Sequence, residues 1–391
     1  MATDNRLLWA ISFHHLCNDG TLMALVALVP ILVDKMDLSL YEVGLLGLGL
    51  VITVIVQYGV GRIADRKFSR ILLETGAGLM GSSFLLLLLV NDFAGLFAAV
   101  IVMRIGAAFY HPVGTSWISR AFGGSRLDTA LGIQSGVGNL GVIVAWISSG
   151  YLGEYYGWKA PCVLWAALNL TAIVVGMLVI RETDSKPFQF AQRERISSRL
   201  TFRKIGLLSI PIVTGGALYQ VTSLFGPLNL TESDGWSPAT ADLMFAFWIA
   251  VGTVTSYYFG TFSARFGRRW LLKAAYSASC ASVLLLAVTS DWYLVAAILA
   301  FYGALLYVTY PAIFAFVTEA TSVRERGTAF GILFGLQLGG GAVTAYACGA
   351  IADFLGDPAY SFVIVSAMAG ISTVALFAWE KDVATTRVDN H

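Results

Sequence analysis

The sequence LLWAISFHHLCNDGTLMALVALVPIL, residues 7–32, is an apolar run long enough to cross a lipid bilayer as one helix. Near its middle lie two histidines, an asparagine and an aspartate: His14, His15, Asn18 and Asp19. An ionisable side chain at membrane depth is costly unless it is paired or faces water, and such residues commonly mark a substrate or ion pathway. The run therefore predicts a transmembrane helix that carries a functional site.

The composition of the whole chain is that of a polytopic membrane protein. Of its 391 residues, 57% are hydrophobic and 13% are charged, and the mean hydropathy is +0.73. A net charge of +1 gives no reason to expect a nucleic-acid partner. The four cysteines are scattered through apolar segments, so neither a disulfide framework nor a metal site is predicted, and no cofactor is expected. The first run lacks the layout of a cleaved signal peptide and is expected to be retained.

Apolar runs bounded by charges or by glycine and proline predict twelve transmembrane helices, and thus an all-α fold. A polar segment rich in arginine, glutamate and serine divides them into two sets of six. The predicted domains are an N-terminal bundle at 1–180, a cytoplasmic linker at 181–204 and a C-terminal bundle at 205–391. The spans are expected near 7–32, 42–61, 71–90, 94–118, 129–152 and 160–180, then 205–228, 238–262, 270–289, 292–318, 328–352 and 359–379.

The distribution of basic residues predicts the orientation. Most of the 25 lysines and arginines fall in the loops that are cytoplasmic when the N-terminus is inside. Positive residues in short loops are retained on that side. We therefore expect a multi-pass protein of a prokaryotic-type inner (plasma) membrane, with both termini in the cytoplasm and the lipid bilayer as its surroundings.

The two halves of the sequence repeat at a constant offset of 199 residues. Pro112 matches Pro311 at this offset, and residues on several predicted spans match without a gap. Repeats of one orientation are typical of transporters whose halves rock about a central cavity. The matched pairs include Gly61 and Gly260, Arg66 and Arg265, Arg70 and Arg269, Thr129 and Thr328, Gly132 and Gly331, Gly136 and Gly335, and Gly141 and Gly340.

The loop GRIADRKFSR at 61–70 resembles the G-x-x-x-D-R-x-G-R-R loop of the major facilitator superfamily, and residues 260–269 are its echo in the second half. Within that superfamily, HLCND at 15–19 and FYHP at 109–112 are similar to the H-L-x-N-D and F-H-P elements of fosmidomycin-resistance-type exporters. The resemblance implies two pseudo-symmetric six-helix bundles whose spans 1, 4, 7 and 10 line a cavity. It also implies alternating access and favours efflux.

Asp19 and Arg104 are the predicted central pair of the site. At 1.5 Å per residue both lie near the middle of the bilayer, on spans 1 and 4. Leu218 and Gly303 stand at their repeat positions, so neither charge belongs to the architecture that the halves share. A static ion pair between two helices is the alternative reading.

Three histidines are expected near this pair. His111 is seven residues from Arg104 and hence on the same face of a continuous helix. With His14 and His15 it would form a patch that changes charge between about pH 5 and 8, the range a proton-coupled carrier must sense. Packing histidines bonded to carbonyls are the alternative. His14 and Asp19 also spell H-x-x-x-x-D, a spacing used by some membrane acyltransferases, although five residues on a helix make the two side chains diverge.

Uncharged polar and aromatic side chains complete the predicted solute site. Proline breaks at Pro112 and Pro311 would free backbone carbonyls in spans 4 and 10, or merely bend the helices. Tyrosine and glutamine side chains on these spans and on span 7 offer hydrogen bonds and ring faces, unless they serve packing alone. These residues are Tyr110, Tyr219, Gln220, Tyr307 and Tyr310.

The two repeated loops predict an inner gate. A carboxylate and guanidinium groups at an inner helix end can bind across a bundle interface, although retention by positive charge alone would explain them equally. The second loop has Ala264 where the first has its acid. Glycines in spans 5 and 11 are expected to permit close helix contacts. The predicted gating residues are Gly61, Asp65, Arg66, Arg70, Arg265 and Arg269.

Together these features predict a non-enzymatic, monomeric transporter that couples protons to the movement of a small polar solute, expected to be anionic, most simply as an efflux antiporter. A proton-coupled uptake symporter for an organic anion is the main alternative, because Gly138 is followed by Asn139 and not by the proline of the antiporter element. A membrane acyltransferase is the alternative from another class.

Overall fold

The computed structural model describes residues 2–66, 69–123, 125–181, 206–321 and 326–388, and these residues form helices and connecting turns without a β-strand. The all-α prediction is confirmed. A 3₁₀ turn at Gly206–Leu208 precedes the ninth helix, and a π-helical segment at Gly335–Gly339 joins two others. The helices are α1 Ala2–Met36, α2 Leu40–Leu48, α3 Leu50–Arg66, α4 Arg70–Leu87, α5 Phe93–Ala107, α6 Tyr110–Ala121, α7 Ser125–Tyr156, α8 Lys159–Val179, α9 Ser209–Glu232, α10 Pro238–Tyr257, α11 Phe259–Phe266, α12 Arg268–Leu286, α13 Trp292–Ala320, α14 Arg326–Phe334, α15 Gly340–Leu355 and α16 Ala359–Val388.

Ten helical segments of the described part are long and apolar enough to cross a membrane. The predicted spans near 205–228 and 270–289 are also helical, as α9 and α12, but they are not among these ten. Helix α12 opens with Arg268 and Arg269 and carries Lys273 one turn later, and α9 is rich in glycine, serine and threonine. A multi-pass membrane protein is therefore established, while the number twelve stays a prediction.

The chain divides into two compact units. Unit 1 comprises Met1–Gln192 and Trp236–Ala246, and unit 2 comprises Arg193–Gly235 and Phe247–His391. The first turns of α10 thus belong to unit 1 and its remainder to unit 2. The predicted linker lies outside the described residues except for Arg181, and the predicted domain boundaries stay predictions.

Local structure repeats at the same offset as the sequence. Asp92 caps the N-terminus of α5 through the amide of Gly95 (2.8 Å), and Asp291, its repeat partner, caps α13 through the amide of Leu294 (2.9 Å). A carboxylate at this position accepts from an amide that the helix leaves unpaired. The fourth span of each half therefore begins with the same aspartate N-cap.

The fourth span of the first half is broken, as its proline requires. Pro112 has no N–H to donate to the carbonyl of Ala108, and the helix changes there to i→i−3 bonds from Ala108 and Phe109 before α6 begins at Tyr110. Pro311, in contrast, lies inside the continuous helix α13. The predicted pair of breaks is therefore seen as a break in the first half only.

Close helix contacts occur at some of the predicted glycines. A Cβ at Gly141 of α7 would lie 2.3 Å from the carbonyl oxygen of Leu16 in α1, and one at Gly341 of α15 would lie 2.7 Å from that of Gly216 in α9. Only glycine permits such backbone approach. Gly138 and Gly340 also approach side chains closely, whereas a Cβ at five other glycines of these spans would meet nothing within 4 Å: Gly132, Gly136, Gly331, Gly335 and Gly339.

Candidate functional site

The Asp19 carboxylate in unit 1 lies between two imidazoles. Its Oδ2 atom is 3.0 Å from Nε2 of His15, and its Oδ1 atom is 3.5 Å from Nε2 of His111. Asn18 donates a further hydrogen bond from its amide to Oδ1 (2.8 Å). His15 and Asp19 are one helical turn apart on α1, whereas His111 comes from α6, just beyond the break. The predicted histidine–aspartate cluster thus forms, with His14 outside it.

The orientation of the His15 ring is fixed from both sides. Its Nδ1 atom lies 2.8 Å from the backbone carbonyl oxygen of Gln134, which can only accept, so Nδ1 carries a proton and Nε2 faces Asp19. The ring also stacks on Tyr110 at a centroid distance of 4.5 Å. The side-chain amide of Gln134 donates to the Tyr110 hydroxyl (2.8 Å), which holds the stacking partner in place.

Exposure rises across the cluster. The exposed fraction of the side chain is 9% for His15, 22% for Asp19 and 44% for His111. His111 therefore reaches open space, while His15 is sealed behind the carboxylate. A proton that enters at His111 can pass to Asp19 and then to His15 through contacts that already exist.

His14 points elsewhere. Its Nε2 atom would be 2.9 Å from a Cβ on Gly176 of α8, and a backbone hydrogen bond ties the ring to Ala172. The imidazole beside Asp19 is His15, at i−4, and not His14, at i−5. The H-x-x-x-x-D reading needs a contact between His14 and Asp19, and the structure does not have it. The surroundings of His14 agree with the alternative, a packing histidine that is bonded to a backbone group.

The predicted Asp19–Arg104 pair is wrong. Arg104 lies at the end of α5 with only 3% of its surface exposed, beside Gly49 and Thr53, and it makes no ion pair within the described residues. The prediction placed Arg104 and His111 on one face of a continuous helix, but the break at Ala108 interrupts that face. The Asp19 carboxylate instead contacts the imidazoles of His15 and His111 and the side-chain amide of Asn18.

Arg104 is consequently a buried cation without a protein counter-ion. Its Nε atom is buried and has no hydrogen-bond partner among the described side chains and backbone. A guanidinium offers five donors in a planar fork that matches carboxylate or phosphate oxygens. Burial of such a group without compensation is costly, which makes Arg104 a candidate site for an anion.

Unit 2 contributes an uncharged aromatic cluster. Tyr219 lies 5.7 Å from the Trp248 ring and 6.4 Å from the Tyr307 ring, and Tyr310 packs edge-on against Tyr307 at 5.7 Å. Trp248 also stacks on Tyr302 (5.6 Å), whose hydroxyl bonds to Leu218 and Thr222. Three of the four predicted tyrosines, Tyr219, Tyr307 and Tyr310, therefore lie together, whereas Tyr110 lies beside His15 in unit 1. Gln220 is buried next to Tyr219 in the same helix.

The structure describes the side chains of only some of the predicted gating residues. Arg70 pairs with Glu74 (2.8 Å) and donates to the carbonyls of Met177 and Ile180 (3.3 and 3.1 Å), so it closes the C-terminal end of α8 inside unit 1. Arg265 lies over the Phe266 ring at 5.2 Å. In the second loop Arg268, which was not among the predicted gating residues, binds Glu319 of α13. A Cβ at Gly61 would lie 3.8 Å from Pro112, and Arg269 is half-buried. The side chains of Asp65 and Arg66 lie outside the described residues.

Two imidazoles and a carboxylate can also bind a divalent cation, and the donor atoms here lie within 4.8 Å of one another. The 3.0 Å separation of His15 Nε2 and Asp19 Oδ2 is, however, that of a direct ion pair, with no space for a cation between the two atoms.

Sequence reasoning missed two polar residues in spans. Gln134 positions both His15 and Tyr110, and Asp242 is a fully buried carboxylate in α10. Their repeat positions hold Leu333 and Val43, both apolar. The criterion that singled out Asp19, charge present in one half alone, would have found Asp242, and extending it to uncharged polar residues would have found Gln134.

Comparison with known proteins agrees with the fold. The Major Facilitator Superfamily profile matches residues 8–233 and 208–390. The fosmidomycin resistance protein of Escherichia coli (strain K12) is 25% identical over 358 residues, which is 89% of this chain and 86% of that protein.

Two solved structures show the same fold at low sequence identity. The nucleoside transporter NupG superposes with a TM-score of 0.77 at 16% identity, covering 97% of this chain and 99% of that chain. A bacterial homologue of the human lysosomal transporter Spinster superposes with a TM-score of 0.80 at 16% identity, covering 96% of both chains. This chain belongs to the Major Facilitator Superfamily and is a membrane transporter rather than an enzyme.

Proposed function

We propose that the chain is a proton-coupled secondary transporter that moves a small anionic solute by alternating access. In this proposal it has twelve spans in two six-helix bundles, lies in the inner membrane, and keeps both termini in the cytoplasm. The observation that carries the proposal is the Asp19 carboxylate held between the imidazoles of His15 and His111.

This cluster suits proton coupling for two reasons. A carboxylate that lies between two imidazoles exchanges protons with them as a coupled unit. His111 is exposed while His15 is sealed, so the cluster has one open side from which protons enter and leave. A change in which side is open, as alternating access requires, would carry those protons across the membrane.

The charge balance of unit 1 supports an anionic solute. Arg104 is buried without a counter-ion in the described structure, and protonated His15 and His111 would share a single negative charge on Asp19. An anion bound near Arg104 would supply the missing negative charge. The solute class we propose is therefore a small phosphate, phosphonate or carboxylate.

The direction of transport that we propose is supported by the relative. A fosmidomycin resistance protein, at 25% identity across most of both chains, favours export of the solute in exchange for protons. Uptake by symport is the second candidate, and the residue that favours it is Asn139, which stands where the antiporter element has proline.

Proton flux in proteoliposomes tests the proposal. The purified protein is reconstituted with a pH-sensitive dye inside, and fosmidomycin or one of a panel of small organic anions is added outside at equal pH. Antiport predicts that solute entry drives protons out and raises the internal pH. Symport predicts internal acidification with solute entry. Solute uptake with no change of internal pH in either direction would refute proton coupling.

A matched pair of variants distinguishes loss of the proton site from a general loss of folding or activity. Asp19→Asn removes the titrating carboxylate, while Asp34→Asn removes an exposed acid at the far end of the same helix, where it binds Lys35 (2.8 Å). Only Asp19→Asn should abolish the dye response.

A further inference from the structure

Asp242 is a buried acid that the proposed cycle does not use. It lies in the first turns of α10, within unit 1, and its exposed fraction is 0%. Neither of its carboxylate oxygens hydrogen-bonds to another group of the described chain. Asp242 packs against Gly150 of α7, where an added Cβ would lie 2.5 Å from Oδ2 of Asp242.

Three contacts join this part of α10 to α7 in an antiparallel ladder. The rings of Trp146 and Phe245 lie 5.7 Å apart, Asp242 packs on Gly150, and the amide of Ala239 donates to Oε2 of Glu154 (2.8 Å). The contacts are spaced by four residues on α7, which is about one turn. Asp242 is thus enclosed between an aromatic pair on one side and a capped helix start on the other.

The two acids of the ladder stand in opposite environments. Glu154 accepts a hydrogen bond from an amide at the N-terminus of α10, where a negative charge is stabilised. Among the described residues, no group donates a hydrogen bond to the Asp242 carboxylate and none forms an ion pair with it. The charged group that interacts with it electrostatically is Glu154, which is also an acid. The lysines of the neighbouring helix ends are held elsewhere, Lys35 by Asp34 (2.8 Å) and Lys159 over the Trp158 ring (5.4 Å).

We propose that Asp242 is a second proton-binding site, separate from Asp19, and that its proton holds the start of α10 against α7. The neutral acid fits the glycine-lined space, because no charge is buried there. When the proton leaves, the new charge is both unsolvated and repelled by Glu154, so the carboxylate moves to water and the first turns of α10 come away from α7. The predicted orientation puts this end of both helices on the outer side, so the site would act as an outer latch that protons close.

Hydrogen exchange of the full-length protein in nanodiscs, without solute and without a pH gradient, tests this latch. Exchange is measured for peptides that cover residues 238–246 at acidic and alkaline pH, after correction for the intrinsic pH dependence of amide exchange. We expect this segment of the wild type to exchange at least about tenfold faster at alkaline pH, since one pH unit beyond the pKa changes the protonated population tenfold. Equal corrected rates at both pH values would overturn the proposal.

Three variants identify the group that titrates. Asp242→Asn keeps the shape and stays neutral, so the segment should be protected at both pH values; a wild-type pH response in this variant overturns the proposal. Gly150→Ala places a methyl group against Asp242 and should leave the segment unprotected at both, whereas Gly136→Ala, on the same helix, meets nothing within 4 Å and should behave as the wild type. Protection of Gly150→Ala equal to that of the wild type would also overturn it.

Asp19→Asn separates the latch from the proposed function. It should keep the pH response of residues 238–246 whether or not it abolishes transport, because the latch needs only Asp242. Loss of the response in Asp19→Asn would assign the pH sensor to the central cluster and overturn the role of Asp242.

Discussion

His15 and Asp19 face each other one turn apart on the same helix, with Nε2 and Oδ2 separated by 3.0 Å. The contact is built into α1, so it does not depend on how any other helix is placed. His111, in contrast, reaches the same carboxylate from α6, behind a helix break, at 3.5 Å. The candidate proton site therefore combines one partner on the same helix as Asp19 with one on a different helix.

Asp19→Asn should abolish proton-driven transport and leave folding intact. The amide keeps the shape of the side chain and can still bond to the imidazoles, but it cannot titrate. We expect the rate of substrate movement against a proton gradient to fall to background, while solute exchange without a gradient persists. Accumulation at the wild-type level in proteoliposomes would show that protons couple elsewhere.

Arg104→Lys should weaken the binding of an anionic solute by about tenfold or more. An ammonium is a compact, strongly hydrated charge and cannot offer the planar pair of donors that matches an oxyanion, so a loss of roughly 1.4 kcal/mol is expected. Calorimetric titration with fosmidomycin measures it. Arg70→Lys is the matched control, because Arg70 binds Glu74 and the end of α8, so this change should lower thermal stability and leave affinity unchanged.

Gly138→Ala should impair transport where Gly136→Ala does not. A Cβ at Gly138 would lie 2.6 Å from Cε1 of His15 and would push the ring away from Asp19, whereas one at Gly136 meets nothing within 4 Å. Overpacking of this kind costs roughly 1–3 kcal/mol when the neighbour cannot move freely. Initial transport rates should fall about tenfold or more for Gly138→Ala at equal expression. Equal rates for the two variants would mean that the ring position is not critical.

Asp234→Asn should stabilise the protein slightly at neutral pH. Asp234 lies between α9 and α10, and partial burial, followed by repulsion from the Asp357 carboxylate, raises the pKa of Asp234. A folded-state pKa above the unfolded value means that the native state holds the proton more tightly. The acid therefore destabilises the fold increasingly as pH rises through its normal range toward the raised pKa.

The gain in melting temperature should be roughly 1 °C, because solvent screens charges at an exposed site. It should disappear at acidic pH, where Asp234 is protonated in both states. A gain that is the same at acidic and neutral pH would assign the effect to packing rather than charge.

Much of the fold follows from the sequence because its determinants are local. Apolar runs gave helices, and the repeat offset carried over to the capping aspartates Asp92 and Asp291. Unmatched charge also located Asp19, since a carboxylate at membrane depth must have a partner. One partner, His15, is set by α1 itself, whereas the contact with His111 could not be derived, because it depends on the rotation of α6 after the break at Ala108.

Two parts of the site depend on tertiary contacts that no local pattern reports. Gln134 orients His15 through its backbone carbonyl, a group that every residue has, so its side chain alone gives no hint of the contact. The environment of Asp242 is set by Gly150, far away in the sequence, whose lack of a side chain makes room for a neutral acid. Both residues are visible in the sequence as isolated polar positions, but their roles are not.

The break ahead of Pro112 has a mechanical consequence. A continuous helix behaves as a stiff rod, and a displacement at one end is passed to the other. The fourth span of unit 1 is instead two rods, α5 with Arg104 and α6 with His111, joined at Ala108 and Phe109. Because Phe109 packs against Gly76 of α4, the joint between the two rods is held in place. A displacement of α6 would therefore move His111 relative to Asp19 without having to displace Arg104, so the two candidate residues on this span are mechanically separate.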